Sequence, residues 1–484
     1  MTGQQMRRRF AQPFECYSER IIRPMQRSSL RLAAILLMLA LAIFVPLMLS
    51  GYSEWKKAST AQGYHEAAEH YRSAAQRLPW QADLYELSGH EYYYAKEYEQ
   101  ADAVYQKAFQ RKALSPAGWV AWGDVVYLAG DTPRATRIWE QALEQKNPSE
   151  NLYSRLSKVY KDHGDYSKAA AYLQKYVALH SDDAAAHYRL GLLLTLTDPD
   201  RALPELISAS QLDPQFDSPV ETLRSALNLA SRNDSPSMRL VLAGRGLALV
   251  QEWELAREAF ASAVHADEEN AEAWAWLGES KQQAAQDGST ELNRAYQLDP
   301  NSATVRGLRG LYFQRTGNFR AALTEFQTAA LLDAKNPAWQ VSIGETYSKL
   351  GDLIRALQAY QAATALVPDD PGYWRLLALF CGQNNVNIND VGIPAAQKTV
   401  VLSKESAASL DLLGWLLLLG KRYEESEQIL QHALRVDPQN ASAHLHLGLL
   451  YLERDKRDLA YPQFVNARDL GNTDAQVILN QYFP

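Results

Sequence analysis

The nearest approach to a catalytic signature in this chain is His65-Glu66-Ala67-Ala68-Glu69-His70. Two imidazoles and a carboxylate on one helical stretch are the ingredients of a zinc hydrolase, where histidines four apart share a helix face and the glutamate activates a metal-bound water. Here the histidines are five apart, so their rings diverge around the helix instead of closing on one ion. His444 and His446 are two apart and face different sides of theirs. Gly244-Arg245-Gly246 has neither a preceding strand nor the third glycine of a dinucleotide loop, and no phosphate loop or Gly-x-Ser-x-Gly elbow occurs in the sequence. The chain is therefore expected to hold no catalytic residue, no cofactor and no metal, and not to be an enzyme.

Two other groups of side chains suit binding rather than reaction. Tyr93, Tyr94 and Tyr127, with Glu86, His90, Asp124 and Lys158, make a polar, tyrosine-rich set. Trp415, Leu418, Leu419, Leu445, Leu449 and Leu452 make an apolar one, suited to an apolar partner segment with the tryptophan as anchor. Both sets lie on stretches that read as helix, and no alternating strand pattern of useful length appears.

The helices come in a beat of about 34 residues. From Pro337, Ile343-Gly344 and Tyr347 mark a first helix, Gly351-Asp352 a turn, Ala356, Tyr360 and Ala363 a second helix, and Pro368 its stop. Gly344 and Ala356 lack bulk and let the two helices approach; Gly351 suits a left-handed cap and Asp352 the start of the next helix. The beat recurs at Tyr85 to Ala108, Trp119 to Ala142, Tyr153 to Ala169, Leu190 to Pro214, Gly244 to Ala263, Trp274 to Pro300 with a shortened turn, and Gly310 to Ala329. Trp374 and Leu377 open a unit stretched by Gln383-Asn384-Asn385-Val386-Asn387, and Leu413 to Pro438 and Leu447 to Ala467 follow; Gly63 to Pro79 is only the second half of a unit.

These positions resemble the tetratricopeptide repeat (TPR) over roughly residues 53 to 472. The resemblance implies an all-α, right-handed superhelical solenoid of helix pairs whose first helices line a concave surface used for peptides or partner subunits. One familiar TPR use, gripping a chaperone's terminal carboxylate with successive cations, is not supported, since the matching surfaces carry too few of them. Repeats lapse at Gln215 to Pro236, where an extra helix and joint (217–236) or a decayed repeat fits equally well. The expected layout is a first sub-array at 53–216, a second at 237–472 and a capping helix at 473–484.

Ahead of the repeats, Leu32 to Leu49 is an uncharged apolar run long enough to cross a bilayer. Arg7, Arg8, Arg9, Arg20, Arg23, Arg27 and Arg31 precede it and only Lys56 and Lys57 follow closely. This bias predicts a cytoplasmic basic tail at 1–31, a signal-anchor helix at 32–52 and repeats on the non-cytoplasmic side. A signal peptide cut at Gly51-Tyr52-Ser53 is the competing reading, disfavoured by the length of the run and of its basic leader.

Net charge −7 and a pI near 5.9 argue against nucleic acid as a partner. Cys16 and Cys381 fall on opposite sides of the membrane in this topology, so they are expected not to pair. Asn233-Asp234-Ser235 and Asn440-Ala441-Ser442 match the glycosylation sequon. The leading expectation is a single-pass, membrane-anchored adaptor holding a protein or peptide in its groove, in envelope assembly, secretion or surface-polymer export. Two alternatives stay open: a regulatory subunit of a separate glycosyltransferase or peptidase complex, and a self-associating structural array.

Overall fold

The computed structural model describes residues 19–483, with side chains from residue 31 onward. Arg7, Arg8, Arg9 and Cys16, and the side chains of Arg20, Arg23 and Arg27, lie outside the described residues. What is described is helical throughout: 26 α-helices, a 3₁₀ turn at Pro214–Phe216, a π turn at Ile388–Gly392 and no strand among the described residues.

One contact builds the pairs. In most of them a glycine on the first helix receives a large side chain from the second: Gly89 takes Tyr105, Gly123 takes Trp139, Gly244 takes Phe260, Gly310 takes Phe326, Gly344 takes Tyr360 and Gly448 takes Phe464. A Cβ added at Gly123 would lie 2.0 Å from the Trp139 ring nitrogen, so no larger residue fits without moving the indole. The small partner on the second helix, Ala356 for Gly344, is fully buried. Gly351 adopts φ +79° after the first helix, and Asp352 then caps the second by accepting a hydrogen bond from the Arg355 N–H at 3.0 Å.

First helices also touch the first helix of the next pair, as Leu84–Tyr94 does with Pro116–Leu128, Ala271–Gln283 with Ala303–Arg315, and Ala407–Leu419 with Ala441–Glu453. The stretched unit keeps this order. Asn385 and Asn387 take positive φ, the π turn absorbs the extra residues, and the short helix Ile393–Leu402 serves as the second helix. Cys381 is buried there against Gly392, and burial pushes its thiol up to about 11.

The contacts divide the chain into two units. The first runs to Thr197 and takes in Pro204–Pro214; the second takes in Asp198–Leu203 and everything from Gln215. In the second, the helix Asp217–Ser231 packs on Pro236–Leu249, which in turn pairs with Trp253–Ala266.

The first unit begins with a single helix, Glu19–Ala58. Its segment Arg31–Ala58 contains an 18-residue apolar window of mean hydropathy 2.9 in which no residue is buried, and it is the one helix among the described residues long and apolar enough to cross a membrane. The same helix supplies what the sequence lacks at the first repeat. Gly51 is buried against Leu78, and Met48 and Trp55 pack on the core formed by Ala74, Ala75 and Leu78. The helix Tyr64–Arg77 is thus the second member of a complete pair.

Candidate functional site

The tyrosine-rich set lies on three consecutive first helices, Leu84–Tyr94, Pro116–Leu128 and Asn151–Asp162. Most of its charged members join one repeat to the next. Glu86 accepts from the Ser115 backbone N–H at 2.6 Å and from its hydroxyl at 2.5 Å, and lies 3.5 Å from His90. Burial alone would raise this carboxyl, but the hydrogen bonds from His90 and Ser115 outweigh it and hold the group below its ordinary range. Asp124 takes both arms of Arg155, at 2.5 and 2.7 Å, which holds that guanidinium charged. The His90 ring sits 2.9 Å from the Tyr105 hydroxyl, whose ionisation burial pushes far above its ordinary value.

The aromatic members are freer. Tyr94 is 59% exposed and packs loosely on Tyr64 and Tyr93, with ring centroids 5.5 and 5.7 Å away. Tyr93 is half-buried, and Tyr127 lies between the Trp139 ring at 5.8 Å and the Lys158 ammonium at 5.8 Å. These three rings are what the amino-terminal surface offers a partner: flat apolar area with phenolic hydroxyls, over a fixed ionic base.

The apolar set divides differently. Leu418 and Leu445 are buried in the last core cluster, so they pack inside the array. Leu449 and Leu452 are half-buried against the same cluster, and Leu419 is 36% exposed. Trp415 is half-buried: its indole fills the space left open by Gly382 on one side and stacks on His446 at 5.7 Å on the other. His446 is fixed by Asp411, 2.7 Å away. The surface left to a partner is Leu419 with the outer edges of Trp415, Leu449 and Leu452, narrower than the six residues of the sequence pattern.

The residues that resembled reactive groups have other partners. His65 lies 2.9 Å from Glu97 and His70 2.6 Å from Glu54, on diverging sides of their helix. His444 sits 2.7 Å from Gln463. Both sequon asparagines use their side-chain oxygens locally: Asn440 caps a helix through the Ala443 N–H at 3.0 Å, and Asn233 accepts from the Ser235 N–H at 3.0 Å. Sequence reasoning missed the ion pairs that link repeats, such as Arg134 with Asp102 at 2.8 Å and Arg315 with Glu279 at 2.5 Å. Their partners lie about one repeat apart and belong to no repeat consensus.

A tetratricopeptide-repeat profile matches residues 313–380, and a second profile of the same description matches 155–215 and 412–467. Anaphase-promoting complex subunit 3 of Schizosaccharomyces pombe is 25% identical over 157 residues, covering 32% of this chain and 24% of that protein. The chain thus spans about a quarter of the length of this curated relative. Among solved structures, yeast Tom70 aligns over 92% of this chain and 95% of its own at 14% identity and TM-score 0.38. The APC/C hetero-tetramer Cut9-Hcn1 aligns over 93% and 98% at 16% identity and TM-score 0.37. Pseudomonas aeruginosa pilF aligns over 44% and 98% at 20% identity and TM-score 0.35. The matched profiles and the recurring glycine-to-large-side-chain contact meet in one conclusion: this chain carries tetratricopeptide repeats, folded as an all-α solenoid of TPR helix pairs.

Proposed function

We propose that this TPR scaffold is a membrane-anchored adaptor, with its amino terminus cytoplasmic and its repeats holding a protein partner on the non-cytoplasmic side. The process it serves is envelope assembly, secretion or surface-polymer export. The observation that carries the proposal is the single helix Glu19–Ala58, whose exposed apolar segment runs without interruption into the first helix pair. Gly51 speaks for an anchor that stays attached. It sits inside that helix, buried against Leu78, whereas signal cleavage at this point would need an extended segment and would remove half of the first pair.

The partner surface is the apolar one at the carboxyl end, Trp415 with Leu419, Leu449 and Leu452, with Tyr93, Tyr94 and Tyr127 as a second contact. Side chains that large, left half-open on first helices, desolvate readily when a partner helix or strand covers them. In sealed vesicles of known orientation, protease should reach the repeats only from the non-cytoplasmic face, and the protein should survive carbonate washing; repeats digested from the cytoplasmic face overturn the topology. For the surface, Leu419→Ser with Leu452→Ser changes the exposed member and one half-buried member. The double variant should keep its melting temperature within a few degrees while losing, by tenfold or more, the partner that wild type retains in pull-down. Retention at full affinity overturns this surface and leaves the tyrosine surface as the site to test.

A further inference from the structure

The anchor helix and the first repeat share one continuous packing stripe. Phe44, Met48, Gly51 and Trp55 recur at helical spacing along Glu19–Ala58, and each touches the first repeat: Trp55 and Met48 the buried core, Gly51 the side chain of Leu78, and Phe44 the indole of Trp80 at 5.3 Å between centroids. Trp80 belongs to the turn between Arg77 and Leu84, and its ring remains 46% exposed after that contact.

The position of Phe44 fixes the level of this turn. Leu32 to Leu49 is bracketed by Arg31 on one side and Lys56 and Lys57 on the other, and its 18 residues extend roughly 27 Å, close to the hydrocarbon thickness of a bilayer. The run has no slack to slide outward. Phe44 lies five residues inside its outer end, roughly 8 Å below it along the axis. A tryptophan in contact with Phe44 is therefore at or below the headgroup boundary, the level at which tryptophan is enriched in membrane proteins. Chain direction demands the same placement. The helix Tyr64–Arg77 returns antiparallel to the anchor, so the turn that follows it comes back toward the side from which the anchor enters. Arg111, at the end of the next second helix, donates to the Pro79 carbonyl at 3.2 Å, next to Trp80 in sequence, so the following turn is tied to the same edge and carries the exposed Arg111 and Lys112 there.

We propose that the first repeat docks on the bilayer: the turn 78–83 inserts Trp80 into the outer interfacial layer, with Arg111 and Lys112 at headgroup level. This holds the array at a set angle to the membrane in place of a flexible tether. The inference rests on the anchor reading above, and its test separates the two. Bimane is attached at Leu39→Cys, Trp80→Cys or Tyr94→Cys in full-length protein carrying Cys16→Ser, reconstituted in phosphatidylcholine–phosphatidylglycerol vesicles; the buried, high-pKa Cys381 stays unlabelled. Position 39 is expected to be quenched by lipid nitroxides deep in the acyl chains. Position 80 should be quenched by shallow nitroxides at least threefold more than position 94, and be protected from aqueous iodide. If 39 is lipid-quenched while 80 matches 94 in iodide access, the docking is overturned and the anchor stands. If 39 is open to iodide, both fall. As a second measurement, Trp80→Asp should leave the protein in carbonate-washed membranes with its helical content intact, because this ring is outside the buried core, yet raise the rate of proteolysis within 78–83 at least threefold. An unchanged rate overturns the proposal.

Discussion

The tyrosine-rich repeats near the amino end and the leucine-rich repeats near the carboxyl end make the same contact within a helix pair but join pair to pair with polar and apolar contacts in different proportion. In the first, the glycines receive Tyr105 and Trp139, and charged side chains cross from repeat to repeat: Arg134 and the Trp122 indole on Asp102, Arg155 on Asp124, Ser115 on Glu86. In the second, Gly414 receives Leu430, and Leu418, Leu445, Leu447 and Leu450 join the pairs through a continuous apolar core. Polar links cross there too, Asp411 with His446 under the Trp415 ring, the Tyr451 hydroxyl donating to Glu427 at 3.0 Å and Arg454 3.1 Å from Glu424, but they flank the apolar core instead of replacing it. Directional links of the first kind fix the angle between neighbouring pairs, whereas apolar packing tolerates repacking at similar volume. The amino-terminal surface, with more of these links, is accordingly expected to be the more rigid of the two, and the carboxyl-terminal one the more adaptable to a partner.

The sharpest way to break this comparison is at the shared glycine. A Cβ at Gly123 meets the Trp139 ring at 2.0 to 2.6 Å, and a rigid indole that also donates to the Val120 carbonyl has nowhere to go. At Gly414 the nearest atoms are Leu430 Cγ and Cδ2 at 2.5 and 2.6 Å, which a change of rotamer relieves in part. At Gly344 the Tyr360 ring is 3.0 Å away. Replacement by Ala should therefore cost about 3 kcal/mol at Gly123 and about 1 kcal/mol at Gly414, the two ends of the overpacking range, and least at Gly344. Chemical denaturation with hydrogen exchange reads the order; equal losses at Gly123 and Gly414 would mean that the aromatic and leucine contacts are energetically alike.

Next in size is the link between pairs. Asp124→Ala leaves the half-buried Arg155 without its bidentate partner and should cost roughly 1.5 kcal/mol, typical of a hydrogen bond to a charged group. Loss of exchange protection should begin in Asn151–Asp162. Asp411→Asn keeps an acceptor for His446 and leaves the surrounding leucine core in place, so its effect should be smaller. A larger loss at Asp411 would reverse the assignment of rigidity to the amino-terminal repeats.

How far the sequence exposes this architecture follows from the same contrast. The glycine contact is legible because one residue type recurs at one spacing, and it locates the helix pairs. The links between pairs are not, because Asp102 or Glu279 looks like any surface carboxylate until the partner one repeat away is placed beside it. The first helix of the first pair is hidden for another reason. Periodicity shows only against a polar background, and the stripe Phe44, Met48, Gly51, Trp55 runs into a segment where nearly every neighbour is also apolar. Of the candidate site, the type of surface is readable but not its extent: Leu418 and Leu445 read like Leu419 and Leu449, and only packing separates the buried from the half-open.

A smaller effect should distinguish the two ends by pH. Glu54, just beyond the apolar run, lies 3.0 Å from Lys57, 2.6 Å from His70 and 3.3 Å from Arg77. Hydrogen bonds from Lys57 and His70 lower its pKa from 4.5 to about 2. A carboxyl lowered by folding adds stability above its unfolded value, so this contribution is complete above about 4.5 and disappears as pH falls toward 2. After solvent screening it should amount to about 1 kcal/mol or less. The pairing of Tyr64–Arg77 with the anchor helix should loosen over that window in wild type, and Glu54→Gln should remove the pH dependence there. Glu425 is also lowered, by hydrogen bonds from Arg422 on the same exposed turn, but it bridges no two helices, so Glu425→Gln should leave exchange in Tyr423–Val436 unaltered over the same window.

The smallest expected effect tests the turns, where both regions depart from the repeat pattern. Gly351 at φ +79° has open space where a Cβ would stand, so Gly351→Ala has a purely backbone cost of about 1 kcal/mol. Lys96, in the tyrosine-rich repeats, and Lys421, in the leucine-rich ones, hold the equivalent left-handed position at φ 61° and 60° with side chains in solvent. Replacing either by Gly relieves that strain, but adds freedom to the unfolded chain that offsets part of the gain. The net should be a stabilisation of about 0.5 kcal/mol at each site. Because a turn acts inside its own pair, the two gains should be equal whatever joins the pairs. A gain at Lys421 without one at Lys96 would show that the ionic links already hold the amino-terminal turns in place, and that rigidity there extends from the joints into the repeats themselves.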